Sequence, residues 1–193
     1  MTLEYYQHHA DDFFNSTVNV DMRSLYTPFL ERIPQGGLLL DAGCGSGRDS
    51  KAFLQQGYQV EAFDATAEMA KLASQHTGLS VKQMTFSDVD AVNRYDGIWC
   101  CASLLHVSAV ELPDAMAKLA RALKPGGIWY VSFKYGDGER VKDGRHFTDL
   151  NEQGLNTLLA GLAGITLVGH WITEDKRPDR SETWLNALLQ KRS

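Results

Sequence analysis

Short apolar runs alternate with helix-like segments over most of the chain. The apolar runs are typical of buried strands and cover residues 38–41, 59–63, 80–84, 95–102 and 128–134. Between them, apolar residues recur at helical spacing in residues 48–56, 67–76 and 111–123. Because strand-like and helix-like segments alternate, the pattern favours an α/β fold with a mostly parallel sheet.

Two more strands are predicted further along the chain, at residues 166–173 and 183–190. No helix-like segment separates them, so we expect them to pair antiparallel at one edge of the sheet. A helix is predicted at residues 151–160, and Asp149 is its expected N-cap. The pattern therefore predicts a parallel sheet that ends in an antiparallel hairpin.

The length of 193 residues corresponds to one domain. We expect a single domain over residues 1–193, with a helical cover or lid in residues 1–35 and the sheet-containing core in residues 36–193. Residues 12–33 have helical character, and we expect Pro28 to interrupt that helix.

Composition and charge exclude several classes of protein. The chain has 19 Lys and Arg residues against 24 Asp and Glu residues, a net charge of −5, which argues against a nucleic-acid partner. The cysteines Cys44, Cys100 and Cys101 form no C-x-x-C pair, so we expect no disulfide framework and no metal site, in a reducing cytoplasm. No apolar run approaches the roughly 20 residues that cross a bilayer, so we expect no membrane association.

A glycine-rich turn follows the first predicted strand and opens a predicted helix. Residues 41–47 read Asp-Ala-Gly-Cys-Gly-Ser-Gly. Glycines let the backbone approach a ligand closely, and the helix N-terminus behind them offers free N–H groups. The dinucleotide fingerprint would need a glycine at Arg48, and the Lys-Ser or Lys-Thr ending of a phosphate-binding P-loop is absent.

Two acidic residues narrow the choice of ligand. Asp41 lies two positions before the first glycine, where it would repel a pyrophosphate but suits an ammonium or a sulfonium. Asp64 ends the second predicted strand, where an acid takes both hydroxyls of a ribose. S-adenosylmethionine, an adenosine joined to a cationic amino acid, meets both demands.

Four motifs in order resemble the class I S-adenosylmethionine-dependent methyltransferases. They are residues 40–47, Asp64 after the second strand, residues 95–98 and residues 123–127. The resemblance is strong over residues 36–135 and implies a Rossmann-like, doubly wound, seven-stranded sheet of order 3-2-1-4-5-7-6 with one antiparallel edge hairpin. Within the superfamily, residues 45–50 are similar to small bacterial enzymes of the tellurite-resistance and thiopurine kind.

The resemblance implies a set of cofactor-binding residues. The methionine part of the cofactor would be lined by Asp41, Gly43, Cys44 and Gly45, and the sulfonium would be bordered by Cys101 and Ala102. The adenosine part would be held by Asp64 at the ribose, by Ala65 beside the adenine, and by Phe86, Asp88 and Val89 near the adenine amino group. Thr85 competes with Phe86 and Asp88 for that last contact, and a helix cap is the alternative role for Asp64.

Residues around the expected methyl position are candidates for catalysis. His106 follows the fourth strand and is the expected general base, with a structural histidine as the alternative. Tyr5 and Tyr6 lie in the predicted lid and are candidates for capping the cofactor or the acceptor.

The stretch after the fifth strand is the expected acceptor-binding region. Arg140 and Arg145 are candidates for clamping an anion from a mobile, glycine-rich flap, and Tyr135 is a further substrate-binding candidate. A second group of basic residues lies between the last two strands: Lys176, Arg177 and Arg180. The alternative for both groups is a solvated loop.

The sequence therefore predicts methyl transfer from S-adenosyl-L-methionine to a small, anionic or polar acceptor, by a monomer or homodimer. Two alternatives remain open: a tRNA or protein methyltransferase, and a non-catalytic regulator that binds the cofactor. A nicotinamide oxidoreductase is disfavoured by Arg48 and Asp41.

Overall fold

The computed structural model describes residues 2–175, 177 and 182–193. Within this part of the chain, seven strands form one sheet: β1 (Leu38–Ala42), β2 (Gln59–Asp64), β3 (Lys82–Gln83), β4 (Tyr95–Cys100), β5 (Leu123–Lys134), β8 (Ile165–Glu174) and β9 (Thr183–Lys191). Two more strands, β6 (Gly138–Lys142) and β7 (Arg145–Asp149), form a separate antiparallel pair. The sheet order is β3-β2-β1-β4-β5-β9-β8.

This order confirms the predicted doubly wound topology. Strands β1 to β5 pair in parallel, whereas β9 pairs antiparallel with both β5 and β8. The sixth and seventh strands of the sheet carry the labels β8 and β9 because the β6–β7 pair precedes them in the chain. The strand order reverses between β1 and β4, so the carboxyl ends of these strands flank the crevice where such sheets bind ligands.

Helices cover both faces of the sheet. They are α1 (Thr2–His8), α2 (Ala10–Thr17), α3 (Arg23–Leu30), α4 (Arg48–Gln55), α5 (Ala67–Thr77), α6 (Leu112–Ala122) and α7 (Glu152–Ala160). Helices α3 and α4 pack against one face of the sheet, and α6 and α7 pack against the other. Short 3-10 helices lie at Phe86–Asp88 and Leu104–His106.

Strand β4 shows why the central strands read as almost uninterrupted apolar runs. Ile98 and Cys100 contribute to the cluster beneath α6, whereas Trp99 points to the opposite face and packs on Phe29 and Tyr130. All these side chains are buried, because a parallel strand with helices on both faces has no solvated side.

Several local expectations were wrong. The third strand is only two residues long, not the predicted 80–84. The N-terminal helix breaks at residues 18–22, whereas Pro28 lies inside α3, where its missing N–H removes only one hydrogen bond from an eight-residue helix. Asn151, not Asp149, caps α7, because its side chain accepts from the Gly154 N–H at 2.9 Å.

The segment after β5 is also different from the prediction. It forms the hairpin β6–β7 rather than an irregular flap, and Lys142 pairs with Arg145 across its turn. Asp143 and Gly144 form that turn with φ of 53° and 75°. An Asp-Gly pair is a favoured two-residue hairpin turn, so this signal was present in the sequence and was missed.

The helices of the described residues are all too short or too polar to cross a membrane.

Candidate functional site

The glycine turn between β1 and α4 packs directly against the end of β4. Gly43 has a φ of 76°, and a Cβ placed on it would lie 2.5 Å from the Cβ of Ser103. The Ser103 hydroxyl also donates to the Ala42 carbonyl at 2.7 Å. Glycine is needed at position 43 because any side chain would separate these two strand ends.

Asp64 lies beside the turn at the carboxyl end of β2. Its Oδ2 accepts from the Gly45 N–H at 3.0 Å, and its Oδ1 accepts from the Thr66 N–H at 3.1 Å. Thr66, not Asp64, caps α5, since its hydroxyl accepts from the Met69 N–H. Burial raises the pKa of Asp64, while the bonds from Thr66 and Gly45 oppose that rise. The helix-cap alternative for Asp64 is therefore wrong.

Asp41 lies behind the turn rather than on its open side. It is only 2% exposed, and its Oδ2 accepts from the Ser50 hydroxyl at 2.6 Å. Burial raises its pKa, and the negative charge of Asp49 raises it further. The carboxylate of Asp49 accepts from Tyr26, from Arg48 at 2.8 Å and from Trp99 at 2.8 Å. Asp41 is thus part of a buried polar network under the turn.

The residues expected around the adenine lie beyond β3. Asp88 caps a 3-10 helix, and its Oδ2 accepts from the Thr85 N–H at 3.0 Å. Phe86 packs edge-on against Phe63, and Val89 is a core residue. Ala65 is half-buried and follows Asp64 directly. The roles of these residues toward a cofactor stay predictions.

A cavity lies at the carboxyl ends of β1, β4 and β5. One wall consists of Gly43, Cys44 and Gly45 with Cys101 and Ala102, and helices α1 and α2 cover it with Tyr6 and Phe13. The opposite wall is formed by strand residues and by the hairpin, through Ser132, Lys134, Asn186, Arg145 and Phe147. The predicted sulfonium-side residues and one predicted acceptor arginine therefore line one space.

A chain of hydrogen bonds crosses this cavity. The Tyr6 hydroxyl lies 2.9 Å from Nε2 of His106, and Nδ1 of His106 lies 2.8 Å from the His146 carbonyl. A carbonyl only accepts, so Nδ1 carries the proton and Nε2 accepts from Tyr6. Arg145 donates to the same hydroxyl at 3.3 Å. Burial lowers the pKa of His106 to about 4, so its ring is neutral at pH 7.

Comparisons with known proteins agree with this geometry. Residues 39–127 match the family model described as a methyltransferase domain. The malonyl-[acyl-carrier protein] O-methyltransferase of Serratia marcescens is 34% identical over 95 residues, 48% of this chain and 36% of that protein. The ubiquinone biosynthesis O-methyltransferase of Xanthomonas campestris pv. campestris strain B100 is 35% identical over 107 residues, 50% of this chain and 43% of that protein. The chain spans less than half the length of both relatives.

A solved structure matches over nearly the whole chain. It is the 1,6-didemethyltoxoflavin-N1-methyltransferase of Burkholderia thailandensis with bound S-adenosylhomocysteine, 25% identical, with a TM-score of 0.78 over 98% of this chain and 85% of that chain. Residues 39–127 are thus a methyltransferase domain, and the fold with these matches supports a class I S-adenosylmethionine-dependent methyltransferase. The narrower likeness to tellurite-resistance and thiopurine enzymes stays a prediction.

The residues present fit the cofactor of this methyltransferase family. The glycine turn and the Asp64 carboxylate lie together at the strand ends, joined by the 3.0 Å hydrogen bond from the Gly45 N–H to Oδ2 of Asp64, where a methionine tail and a ribose would lie. Phe13 covers Gly45, since a Cβ there would lie 3.2 Å from its ring. Ala102 adopts a left-handed conformation with a φ of 52°, and its N–H donates to Ser132 at 2.8 Å. This strain lies where β4 borders the cavity.

The predicted acceptor residues do not stay together. Arg145 is 9% exposed and lines the cavity, whereas Arg140 pairs with Asp149 at 2.6 Å outside the cavity lining. Tyr135 is 42% exposed and donates to Glu152 at 2.5 Å, so it is also outside the cavity. Both arginines lie on the same face of the hairpin, against the Phe147 ring, and the ion pair with Asp149 is what separates Arg140 from the cavity. Tyr5 lies against Arg145, with the guanidinium 4.5 Å from its ring centre.

Of the second basic group, one residue reaches the cavity. Arg177 lines it and pairs with Asp175 at 2.7 Å. Lys176 and Arg180 lie outside the described residues. In the part of the chain that the structure describes, no three His, Cys, Asp or Glu side chains are grouped as metal ligands are.

Among the residues of the cavity wall that sequence reasoning missed are Lys134, Asn186 and Phe13. Lys134 and Asn186 are almost fully buried, at 6% and 1% exposure, on strands that are otherwise apolar. A charged or amide side chain inside an apolar strand is itself a signal, since burying it needs a specific partner. Phe13 carried no such signal, because an aromatic residue in a helix is usually a core residue.

Proposed function

We propose that this methyltransferase transfers the methyl group of S-adenosyl-L-methionine to a small, polar or anionic molecule bound in the cavity. The single observation that carries the proposal is the continuity of that cavity. It runs from the glycine turn and Ala102 to Tyr6, His106 and Arg145. A cofactor on the turn and an acceptor beside His106 would therefore meet in one space.

The cofactor, when bound, supplies a methyl group that its sulfonium already activates. The protein then has to align the acceptor and exclude water. Helices α1 and α2 would serve the second task, since Tyr6 and Phe13 cover the cavity. His106 would serve as proton acceptor once the acceptor takes the place of Tyr6, because Nδ1 is held by the His146 carbonyl and the Nε2 lone pair now accepts from the Tyr6 hydroxyl.

The cavity geometry supports a small acceptor over a macromolecular one. Helices α1 and α2 and the hairpin β6–β7 all contribute side chains to the cavity lining, so they could surround a small molecule beside His106. The two named relatives are O-methyltransferases, and the named structure is an N-methyltransferase. We therefore leave the methylated atom open and propose only the acceptor's size and polarity.

We also propose that residues 1–35 and 36–193 act as one unit. The Thr2 hydroxyl accepts from the His146 N–H of the hairpin at 2.9 Å, and Phe14 packs edge-on against His76 of α5. These contacts support a cover that closes over the cavity rather than an independent domain.

Calorimetry tests the cofactor half of the proposal. We expect S-adenosylmethionine and S-adenosylhomocysteine to bind at micromolar strength and NAD to give no signal. Asp64→Asn should weaken S-adenosylhomocysteine at least tenfold, since bonds to a charged group contribute about 1.5 to 3 kcal/mol. Asp90→Asn, an exposed carboxylate outside the cavity lining, should change nothing. Binding of NAD without S-adenosylhomocysteine would refute the proposal.

A further inference from the structure

One cation of the cavity differs from the others in having no anionic partner. Arg48 pairs with Asp49 at 2.8 Å, Lys134 with Glu182 at 2.5 Å, and Arg177 with Asp175 at 2.7 Å. Each of these three is a buried or half-buried cation on the cavity wall with its own carboxylate. Arg145 lines the same cavity, yet no carboxylate of the described residues lies within ion-pair distance of it.

Among the described residues, the side chain of Arg145 has one hydrogen-bond partner, the Tyr6 hydroxyl. Its Nη1 donates to the Tyr6 hydroxyl over 3.3 Å, a long bond to a neutral group. Its Nε is buried and has no hydrogen-bond partner. The rings of Tyr5 and Phe147 lie 4.5 and 5.2 Å from the guanidinium carbon. Aromatic rings attract a cation but leave its N–H groups without acceptors.

A buried guanidinium without an anion is costly to the fold. Removing such an ion from water costs several kcal/mol, and the neighbouring cation Lys134 adds repulsion rather than relief. Proteins rarely keep this arrangement for stability, because an apolar side chain of the same size packs better. The missing partner therefore points to a ligand.

The charge of that ligand follows from the balance at this end of the cavity. Lys134 and Lys142 both pair with the Glu182 carboxylate, whereas Arg145 has no carboxylate partner among the described residues. A planar anion suits that site, because the guanidinium fork matches a carboxylate in shape. A dianionic phosphate would bring a second negative charge close to the Glu182 carboxylate.

We propose that the acceptor carries a carboxylate that pairs with Arg145, next to the Tyr6–His106 pair. Calling the ligand the methyl acceptor rests on the proposed function, whereas the anion-binding site itself follows from the residues of the cavity. The Tyr6 hydroxyl now accepts from Nη1 of Arg145, at the position that one carboxylate oxygen of the ligand would take. Helix α1 has to shift to admit the ligand, because the ring of Tyr5 covers the guanidinium.

The test uses three phenyl probes: planar benzoate, its neutral planar counterpart benzamide, and dianionic, tetrahedral phenyl phosphate. Each is titrated into the full chain by calorimetry, with and without saturating S-adenosylhomocysteine. We expect benzoate to bind at least tenfold more tightly than benzamide and more tightly than phenyl phosphate. Equal binding of benzoate and benzamide, or preference for phenyl phosphate, would overturn the assignment.

Variants locate the effect at Arg145. Arg145→Met should abolish the preference for benzoate over benzamide, and Arg145→Lys should keep part of it because lysine retains the charge without the fork. Lys142→Met is the control, since Lys142 is an exposed cation of the same hairpin. An unchanged preference in Arg145→Met, or its loss in Lys142→Met, would place the anion elsewhere and refute the proposal.

The two proposals fail in distinguishable ways. Loss of S-adenosylhomocysteine binding in the wild-type chain would sink the methyltransferase function but leave the benzoate preference measurable. Normal S-adenosylhomocysteine binding without a benzoate preference would sink only the carboxylate subsite. We expect the affinity of Arg145→Met for S-adenosylhomocysteine to stay within twofold of the wild type.

Discussion

His106 and Arg145 share one phenol at the centre of the cavity. The Tyr6 hydroxyl donates to Nε2 of His106 and accepts from Arg145, so the direction of every bond in the chain is determined. Burial raises the pKa of Tyr6 even though Arg145 opposes that rise. All three side chains can therefore change partners when a ligand enters, without any of them first changing its charge.

The protonation state of His106 is the sharpest prediction at this scale. Because burial lowers its folded pKa to about 4, the folded state takes up the proton only well below the ordinary value of about 6.5. The unfolded chain binds that proton first, so stability present above pH 6.5 should be lost as pH falls toward 4. Nitrogen-15 NMR should show Nδ1 protonated at pH 7 and no titration above about pH 5.

A variant separates this effect from the carboxylates that titrate nearby. His106→Asn should make the free energy of unfolding fall less steeply between pH 6.5 and 4.5, by up to about 3 kcal/mol for a shift of this size. A titration midpoint near 6.5 in the folded protein would contradict the buried, neutral ring.

The elements around the cavity are held together by close backbone contacts. The turn after β1 meets the end of β4 at Gly43 and Ser103, and the hairpin meets α1 at His146 and Thr2. The first contact joins two strands of the sheet, so it is built into the fold. The second joins the hairpin to α1, which has no buried residues of its own, so α1 can move away without opening the core.

Two glycines with nearly the same backbone angles test the first contact. Gly43 has a φ of 76° and Gly78 a φ of 80°, but a Cβ added at Gly43 would meet Ser103, whereas one added at Gly78 would have no neighbour within 4 Å. Gly78→Ala should cost about 1 to 2 kcal/mol, the cost of a left-handed alanine. Gly43→Ala should cost at least about 2 kcal/mol more, measured by urea unfolding. Equal losses would mean that the turn relaxes away from Ser103.

At the scale of the whole molecule, the cover and the sheet enclose the cavity from opposite sides. Helices α1 and α2 contact α5, the hairpin and the glycine turn, whereas α7 lies on the far face of the sheet. Any ligand that fills the cavity therefore touches the cover. Binding should be transmitted to residues 2–17 and not to α7.

Hydrogen exchange tests this coupling. S-adenosylhomocysteine at 100 times its Kd should stabilise the folded chain by about 2.7 kcal/mol through mass action. At lower ligand concentration, where this global effect is smaller, the amides of residues 2–17 should gain more protection than the global effect alone gives. The amides of Glu152–Ala160 serve as the control and should gain only the global effect. Equal changes in both segments would argue against a closing cover.

Much of the fold could be predicted because its signals are local or periodic. The alternation of strands and helices predicted the parallel sheet with its antiparallel edge hairpin, and the resemblance to class I methyltransferases implied the strand order. Pro-Gly-Gly at residues 125–127 predicted a helix end close by, although α6 ends at Ala122 and these residues lie within β5. The errors lie where tertiary contacts override local preference. Pro28 was tolerated inside α3 because Leu25, Phe29 and Leu30 bury that helix against the sheet.

The sequence predicted which strand ends form the candidate site, but it did not predict the directions in which the side chains point. Gly43, Gly45, Cys101 and Ala102 line the cavity as expected, since the ends of neighbouring parallel strands meet at one edge. Asp41 has the expected position in the chain but lies behind the turn, because Ser50 of α4 takes its carboxylate. The direction of a side chain depends on its hydrogen-bond partners, and the sequence alone does not show which residues become partners in the folded chain.

The sequence by itself was enough to predict the sheet, the glycine turn and the resemblance to the family. The reason is that the spacing of apolar residues and the conformational freedom of glycine are signals carried by a few neighbouring residues. Only the tertiary structure decided which cation of the cavity lacks a carboxylate partner among the described residues. Lys134 meets Glu182 and Tyr6 meets His106 across long stretches of chain, through strand pairing and the packing of α1. Electrostatic pairing depends on distance in space, and that distance is settled only when the strands and the cover have come together.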